Sequence, residues 1–141
     1  MKCRRWMFAL TLTLLPLFAA AQLSSTQKIG AQVPFEFVVS NNVVPAGMFI
    51  VQTTTINPRI LSLRNPGSKV NMFILTSRDE TKTPAASYAL VFHKYGNSYF
   101  LWGMNLQGSR TIYRLPQSKA EAELLVRNVP ATEEILLASL Q

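Results

Sequence analysis

The stretch 90–102, Leu-Val-Phe-His-Lys-Tyr-Gly-Asn-Ser-Tyr-Phe-Leu-Trp, constrains the fold of this chain more than any other. Gly96-Asn97 sits between two runs of aromatic and β-branched residues. Gly takes the positive φ that a primed hairpin turn requires and Asn tolerates it, so the stretch reads as a β-hairpin. Pairing Tyr95 with Ser98 places His93 opposite Phe100, Val91 opposite Trp102 and Ala89 opposite Met104 on one face. Lys94 with Tyr99, Phe92 with Leu101 and Leu90 with Gly103 fall on the other. Both faces are apolar over several residues, whereas a strand with water on one side alternates apolar with polar. The hairpin is therefore expected inside a sheet covered on both sides, by a second sheet, a helix or another subunit.

The same period runs through the chain before the hairpin. Over 28–39, Ala31, Val33, Phe35, Phe37 and Val39 share one face, opposite Gln32, Pro34 and Glu36. Pro34 cannot donate a ladder hydrogen bond and marks an edge or bulge. Glu36 lies on the polar face, as a solvated carboxylate would. Turn chemistry at Ser40-Asn41-Asn42, Pro45-Ala46-Gly47, Asn57-Pro58 and Asn65-Pro66-Gly67-Ser68 separates strands expected over 48–55, 60–64 and 70–76. Residues 77–86 break the rhythm with charges and Pro84 and read as an exposed loop. A final strand is expected over 111–115. The period then changes: Ser118 followed by Glu121 has capping-box spacing and opens a helix of about ten residues ending near Asn128 or Pro130. For 132–140, Thr132-Glu133-Glu134 favours a helix start, although Ile135-Leu136-Leu137 would also serve as a closing strand.

The first twenty-one residues have another character. Lys2, Arg4 and Arg5 form a positive start, residues 6–18 a mostly apolar run, and Ala19-Ala20-Ala21 the small residues read by a signal peptidase. This predicts a signal peptide over 1–21, a single β-rich domain over 22–141, and a periplasmic or extracellular location after cleavage near Ala21. The apolar run falls short of the roughly 20 residues a membrane-spanning helix needs, so no transmembrane anchor is expected after cleavage. Cys3 is the one cysteine and would leave with the signal, so packing rather than disulfides must hold the mature fold. Three of the fourteen Lys and Arg would leave too, which reduces the net charge from +7 to +4. These charges are scattered, which argues against nucleic-acid binding.

Little catalytic chemistry is visible. His93 is the only histidine, so no His/Cys metal site can be assembled. It falls mid-strand opposite Phe100 without a nucleophile motif, and reads better as a partly buried core histidine than as a base. The acids Asp79-Glu80, Glu121 with Glu123, and Glu133-Glu134 are sequence neighbours and do not preset an acid and a base facing each other. Phosphate-loop and dinucleotide fingerprints are absent, and no cofactor is expected. The aromatic set Tyr88, Phe92, Tyr95, Tyr99, Phe100 and Trp102 either fills a core or lines a ligand cavity. Phe92, His93, Tyr99 and Trp102 are the candidate ligand-binding residues.

Three segments, Val33-Pro34-Phe35-Glu36-Phe37-Val38-Val39 with Pro45-Ala46-Gly47, Leu90-Val91-Phe92-His93-Lys94-Tyr95-Gly96 with Tyr99-Phe100-Leu101, and Leu115-Pro116-Gln117-Ser118-Lys119-Ala120-Glu121, together resemble a family of small secreted bacterial proteins without an assigned function. The resemblance covers most of the mature chain in order, and departs at Val43-Val44, Met48-Phe49 and the tail after Arg127. It implies secretion and a compact β-rich fold and carries over no catalytic residue.

The fold expected is mainly β, an antiparallel β-sandwich or partly closed barrel of about seven strands with a C-terminal helix. The function expected is that of a secreted or periplasmic, non-enzymatic interaction module of the cell envelope, its partner an envelope protein or a second copy of itself. The alternative is a carrier of a small apolar ligand in a β-barrel cavity.

Overall fold

A computed structural model describes residues 26–141. The expected signal peptide, its cleavage point and Cys3 lie outside the described residues. In chain order the elements are β1 (Lys28–Val33), β2 (Phe37–Val39), β3 (Asn42–Val44), β4 (Gly47–Thr53), β5 (Ile60–Arg64), β6 (Asn71–Leu75), β7 (Ser77–Glu80), β8 (Ala89–Tyr95), β9 (Ser98–Asn105), β10 (Thr111–Arg114), α1 (Lys119–Val126), β11 (Thr132–Leu137) and β12 (Ser139–Leu140). They form two sheets. The first has the order β12-β1-β4-β5-β6, and the second β11-β8-β9-β10-β7, with β2 pairing β3 and, in parallel, β9. Neither sheet closes on itself, so the fold is a sandwich rather than a barrel.

Among the described residues there are twelve strands where about seven were expected, because the reading over 28–39 splits between the two sheets and β3, β7, β11 and β12 form in segments read as turn, loop or helix. The alternation over 28–39 holds, with Ala31, Val33, Phe37 and Val39 all buried. Pro34 nevertheless ends β1 in the first sheet, and β2 resumes in the second. The same happens at Thr76 between β6 and β7, where its buried hydroxyl donates to the Arg59 carbonyl at 2.7 Å, and at Ala138 between β11 and β12, whose N–H donates to the Tyr88 carbonyl at 2.9 Å. Ser40 and Asn41 both take positive φ, the two-residue primed turn that joins β2 to β3.

Two segments differ in kind from their sequence reading. The helix favoured over 132–140 is instead β11 and β12. β11 runs antiparallel to β8 from Thr132 opposite Lys94 to Leu137 opposite Ala89. Without it the central hairpin would have an open edge, and that demand outweighs the weak helical preference of Glu133-Glu134. The loop read over 77–86 begins as β7, whose Ser77 to Glu80 pair with Arg114 to Thr111.

Between the sheets, Ile29, Val33, Phe49, Val51, Leu61 and Leu63 of the first face Phe37, Val39, Leu90, Phe92, Leu101 and Met104 of the second. Phe37 meets Phe49 edge to face at 5.2 Å and Phe92 at 5.3 Å, the offset that aromatic quadrupoles favour.

Candidate functional site

The hairpin does have two covered faces. Leu90 and Phe92 look into the sandwich core, while Ala89, Val91, Tyr95 and Phe100 are buried outside it. On this outer side the cover over His93 and Tyr95 comes from α1 and the segment before it. The helix has Ser118 as its N-cap, the hydroxyl accepting from the Glu121 N–H at 3.1 Å. Asn41 Oδ1 accepts from the Lys119 N–H at 2.8 Å. At the other end Asn128, at positive φ, donates to the Leu125 carbonyl and Val129 to that of Leu124, a Schellman closure.

Glu121 completes only half of a capping box, because its side chain turns away from the helix start. It is the one buried residue of α1, and its Oε1 accepts from the Tyr95 hydroxyl at 3.0 Å and meets His93 Nδ1 at 3.1 Å. An ionised carboxylate only accepts, so Nδ1 carries the hydrogen of this contact. Burial, the hydrogen bond to Glu121 and the charge of that carboxylate, in that order, push the Tyr95 phenol up to about 12. Tyr95 is thus a fixed donor at any physiological pH.

The second half of the site depends on a bulge. The expected register holds from Tyr95/Ser98 to Phe92/Leu101, then slips, so that Val91 pairs with Gly103, Leu90 with Met104 and Ala89 with Asn105. Trp102 is the extra residue. A β-carbon at Gly103 would lie 2.9 Å from the Tyr113 carbonyl oxygen, so only glycine admits β10 this closely. The Trp102 carbonyl is satisfied by the Leu115 N–H at 2.8 Å. Its indole stacks on His93 with centroids 5.2 Å apart and planes inclined by 24°. On the β10 side the Arg114 guanidinium stands 5.9 Å from the indole and pairs with Asp79 at 2.8 Å, both side chains half-exposed.

His93, Tyr95, Trp102, Arg114, Gln117 and Glu121 thus converge on an open pocket of about 450 Å³, with Leu115, Pro116 and Leu125 as its apolar wall. Ser77 also borders it. It stands on β7, three strands from His93 on β8 and roughly 14 Å away at ordinary strand spacing. Trp102 and Arg114 fill the interval, so Ser77 and His93 form no hydrogen-bonded dyad.

Of the four candidate residues, His93 and Trp102 meet here. Tyr99 lies elsewhere, stacked on Phe35 at 3.7 Å beside a smaller hollow of about 310 Å³ at the hairpin tip. Phe92, 0% exposed, lies in the sandwich core. The sequence reading did not single out Glu121, Arg114 or Gln117 as site residues. Nothing in the spacing of Glu121 distinguishes a cap from a carboxylate that reaches a sheet 28 residues back. No group of three or more His, Cys, Asp or Glu able to hold a metal occurs among the described residues, and no helix among them is long and apolar enough to cross a membrane. The chain matches no protein-family model, and comparison with curated proteins and with solved structures finds no significant match.

Proposed function

We propose that this is an exported, secreted or periplasmic protein without enzymatic activity that acts as an interaction module of the cell envelope, with the outer-face pocket beside α1 as its recognition site. The observation that carries the reading is the pocket's construction. An indole, a guanidinium and an amide border an open hollow whose floor is the His93–Glu121–Tyr95 cluster. The cluster's hydrogen bonds run to one another, which fixes the shape of the floor and holds α1 in place. Aromatic and arginine side chains on a rigid sheet are the groups that dominate recognition energetics. Export is supported by the tripartite pattern of residues 1–21 and by the resemblance to secreted proteins.

The alternative, a carrier of a small apolar ligand in a barrel cavity, draws less support. Its cavity would occupy the space between the sheets, where Phe37, Phe49 and Phe92 pack edge to face with at most 1% exposure. Two measurements test the proposal together. N-terminal sequencing of the exported protein is expected to begin at Gln22. Isolated cell-envelope fractions are expected to retain the wild-type protein, and Trp102→Ala to weaken that retention about 30-fold, the factor for loss of a tryptophan hot spot. Equal retention of the two proteins, or a stoichiometric lipid bound to the protein as isolated, refutes it.

A further inference from the structure

Among the described residues the first sheet ends at β6, which pairs with β5 and with no strand on its other side. The register fixes which of its backbone groups face outward. The Asn65 N–H donates to the Val70 carbonyl at 3.0 Å and the Thr76 N–H to the Arg59 carbonyl at 2.8 Å. Hydrogen-bonded and non-hydrogen-bonded pairs alternate along an antiparallel ladder. The pairs Ile60/Leu75, Ser62/Phe73 and Arg64/Asn71 are therefore of the non-bonded kind. Asn71, Phe73 and Leu75 turn their N–H and C=O groups away from β5, along the open edge. Their side chains lie on the solvent face, with Phe73 67% and Leu75 59% exposed.

Natural sheets blunt such an edge with charge, proline, a bulge or brevity. β7 carries Arg78, Asp79 and Glu80, and β11 carries Glu133 and Glu134; β3 and β12 have three and two residues. β6, Asn-Met-Phe-Ile-Leu, has five residues with no charge, no proline and an unbroken register.

We propose that β6 pairs antiparallel with β6 of a second copy of this chain, about a two-fold axis through Phe73, to join two five-stranded sheets into one. The edge is complementary to itself under that operation. Phe73 meets Phe73 of the second copy, and Asn71 meets Leu75 in both directions, so every outward N–H finds a carbonyl. Phe73 and Leu75 of both copies then form one apolar stripe. Charge selects a second copy in particular, because an edge charge would meet its own kind across the axis and β6 has none. The nearest cation in register, Arg64 opposite Asn71, stays roughly 20 Å from its copy by strand geometry, beyond the ~8 Å screening length of physiological salt. This edge belongs to the sheet that does not carry the outer-face pocket, so the dimer stands or falls separately from the proposed recognition role.

Sedimentation velocity of the exported protein over a rising concentration series is the test, with Phe73→Lys and Phe73→Pro as variants. Neither removes a hydrogen bond to β5: one sets like charges across the axis, the other deletes only an outward N–H. The wild type is expected to pass from one chain to two as concentration rises, and the Phe73 amide to exchange more slowly in the dimer. Both variants are expected to stay monomeric with wild-type circular dichroism. If one variant fails to fold, the other still decides. A wild type that remains monomeric, or a dimer that survives in the folded variants, overturns the proposal.

Discussion

Replacing Glu121 with Ala tests the arrangement that joins helix to sheet. The carboxylate serves two donors through one oxygen, the Tyr95 hydroxyl at 3.0 Å and His93 Nδ1 at 3.1 Å. Tyr95 is 4% exposed, so its hydroxyl finds little water when Glu121 is gone. A stranded buried donor costs about 1–3 kcal/mol, and hydrogen bonds to a charged acceptor contribute about 1.5–3 kcal/mol each. The His93 side chain is 24% exposed and can turn to water, which places its share at the low end. The sum is about 3 kcal/mol, and α1 loses its one buried residue besides. For a domain of this size that lowers Tm by about 12 °C. Urea unfolding followed by tryptophan fluorescence reads the change directly, with the m-value unchanged if the sandwich itself is intact. Glu121→Gln keeps an acceptor and is expected to lose about half as much, while Glu123→Ala, on the exposed side of the same helix, stays within about 0.5 kcal/mol of wild type. A double-mutant cycle with Tyr95→Phe should give a coupling of about 1–2 kcal/mol. A Glu121→Ala protein as stable as wild type, or a coupling of zero, would sink the argument that this carboxylate holds helix and sheet together.

Two further outcomes follow from the same structure. The Tyr95 pKa rises on folding from the ordinary 10.0 to about 12. The folded protein therefore holds this proton longer than the unfolded chain does, and the associated stability is complete below pH 10 and disappears as pH rises through about 12. A phenolate absorbance titration should show a late tyrosine that titrates earlier in Glu121→Ala yet stays above the ordinary value, because burial, the largest cause, remains; a wild type without a late tyrosine contradicts this. Phe92→Ala removes a fully buried ring that packs edge to face on both Phe35 and Phe37, at a cost of about 3–5 kcal/mol. A chemical-denaturation loss below about 1.5 kcal/mol would mean that the space between the sheets is not packed as described.

The parts of this fold that follow from local chemistry were legible in the sequence. Gly96 alone supplies the positive φ of the central turn, and the four pairs nearest it fall where the turn sets them. The slip at Trp102 had a signal that went unweighed, a glycine inside a strand, but its cause is the close passage of β10, which no window around residue 103 contains. Residues 132–140 failed for the same reason: two adjacent glutamates favour a helix start locally, and an open β8 edge, with Thr132 opposite Lys94 and Leu137 opposite Ala89, decides otherwise. At the site, His93 and Trp102 were legible as candidate residues on one face of a two-sided hairpin. Glu121 was legible as part of a cap and not as a partner of His93, since sequence spacing describes the backbone of a helix start and not where a buried side chain finds its donors.

The crossing at Ala138 also makes one short segment the border of both sheets. β1 borders β12, with Ile29 opposite Leu140, and β8 borders β11, so one edge of β1 and one edge of the central hairpin are covered by residues 132–140. Until residues 132–140 dock, β1 and β8 each keep one open edge, although Ile29 already pairs with Val51 and Val91 with Gly103. Long-range pairing of this kind folds slowly and leaves strand edges open meanwhile. The β11–β12 segment thus closes one edge in each sheet together, and its docking protects β1 and β8 from pairing with another chain.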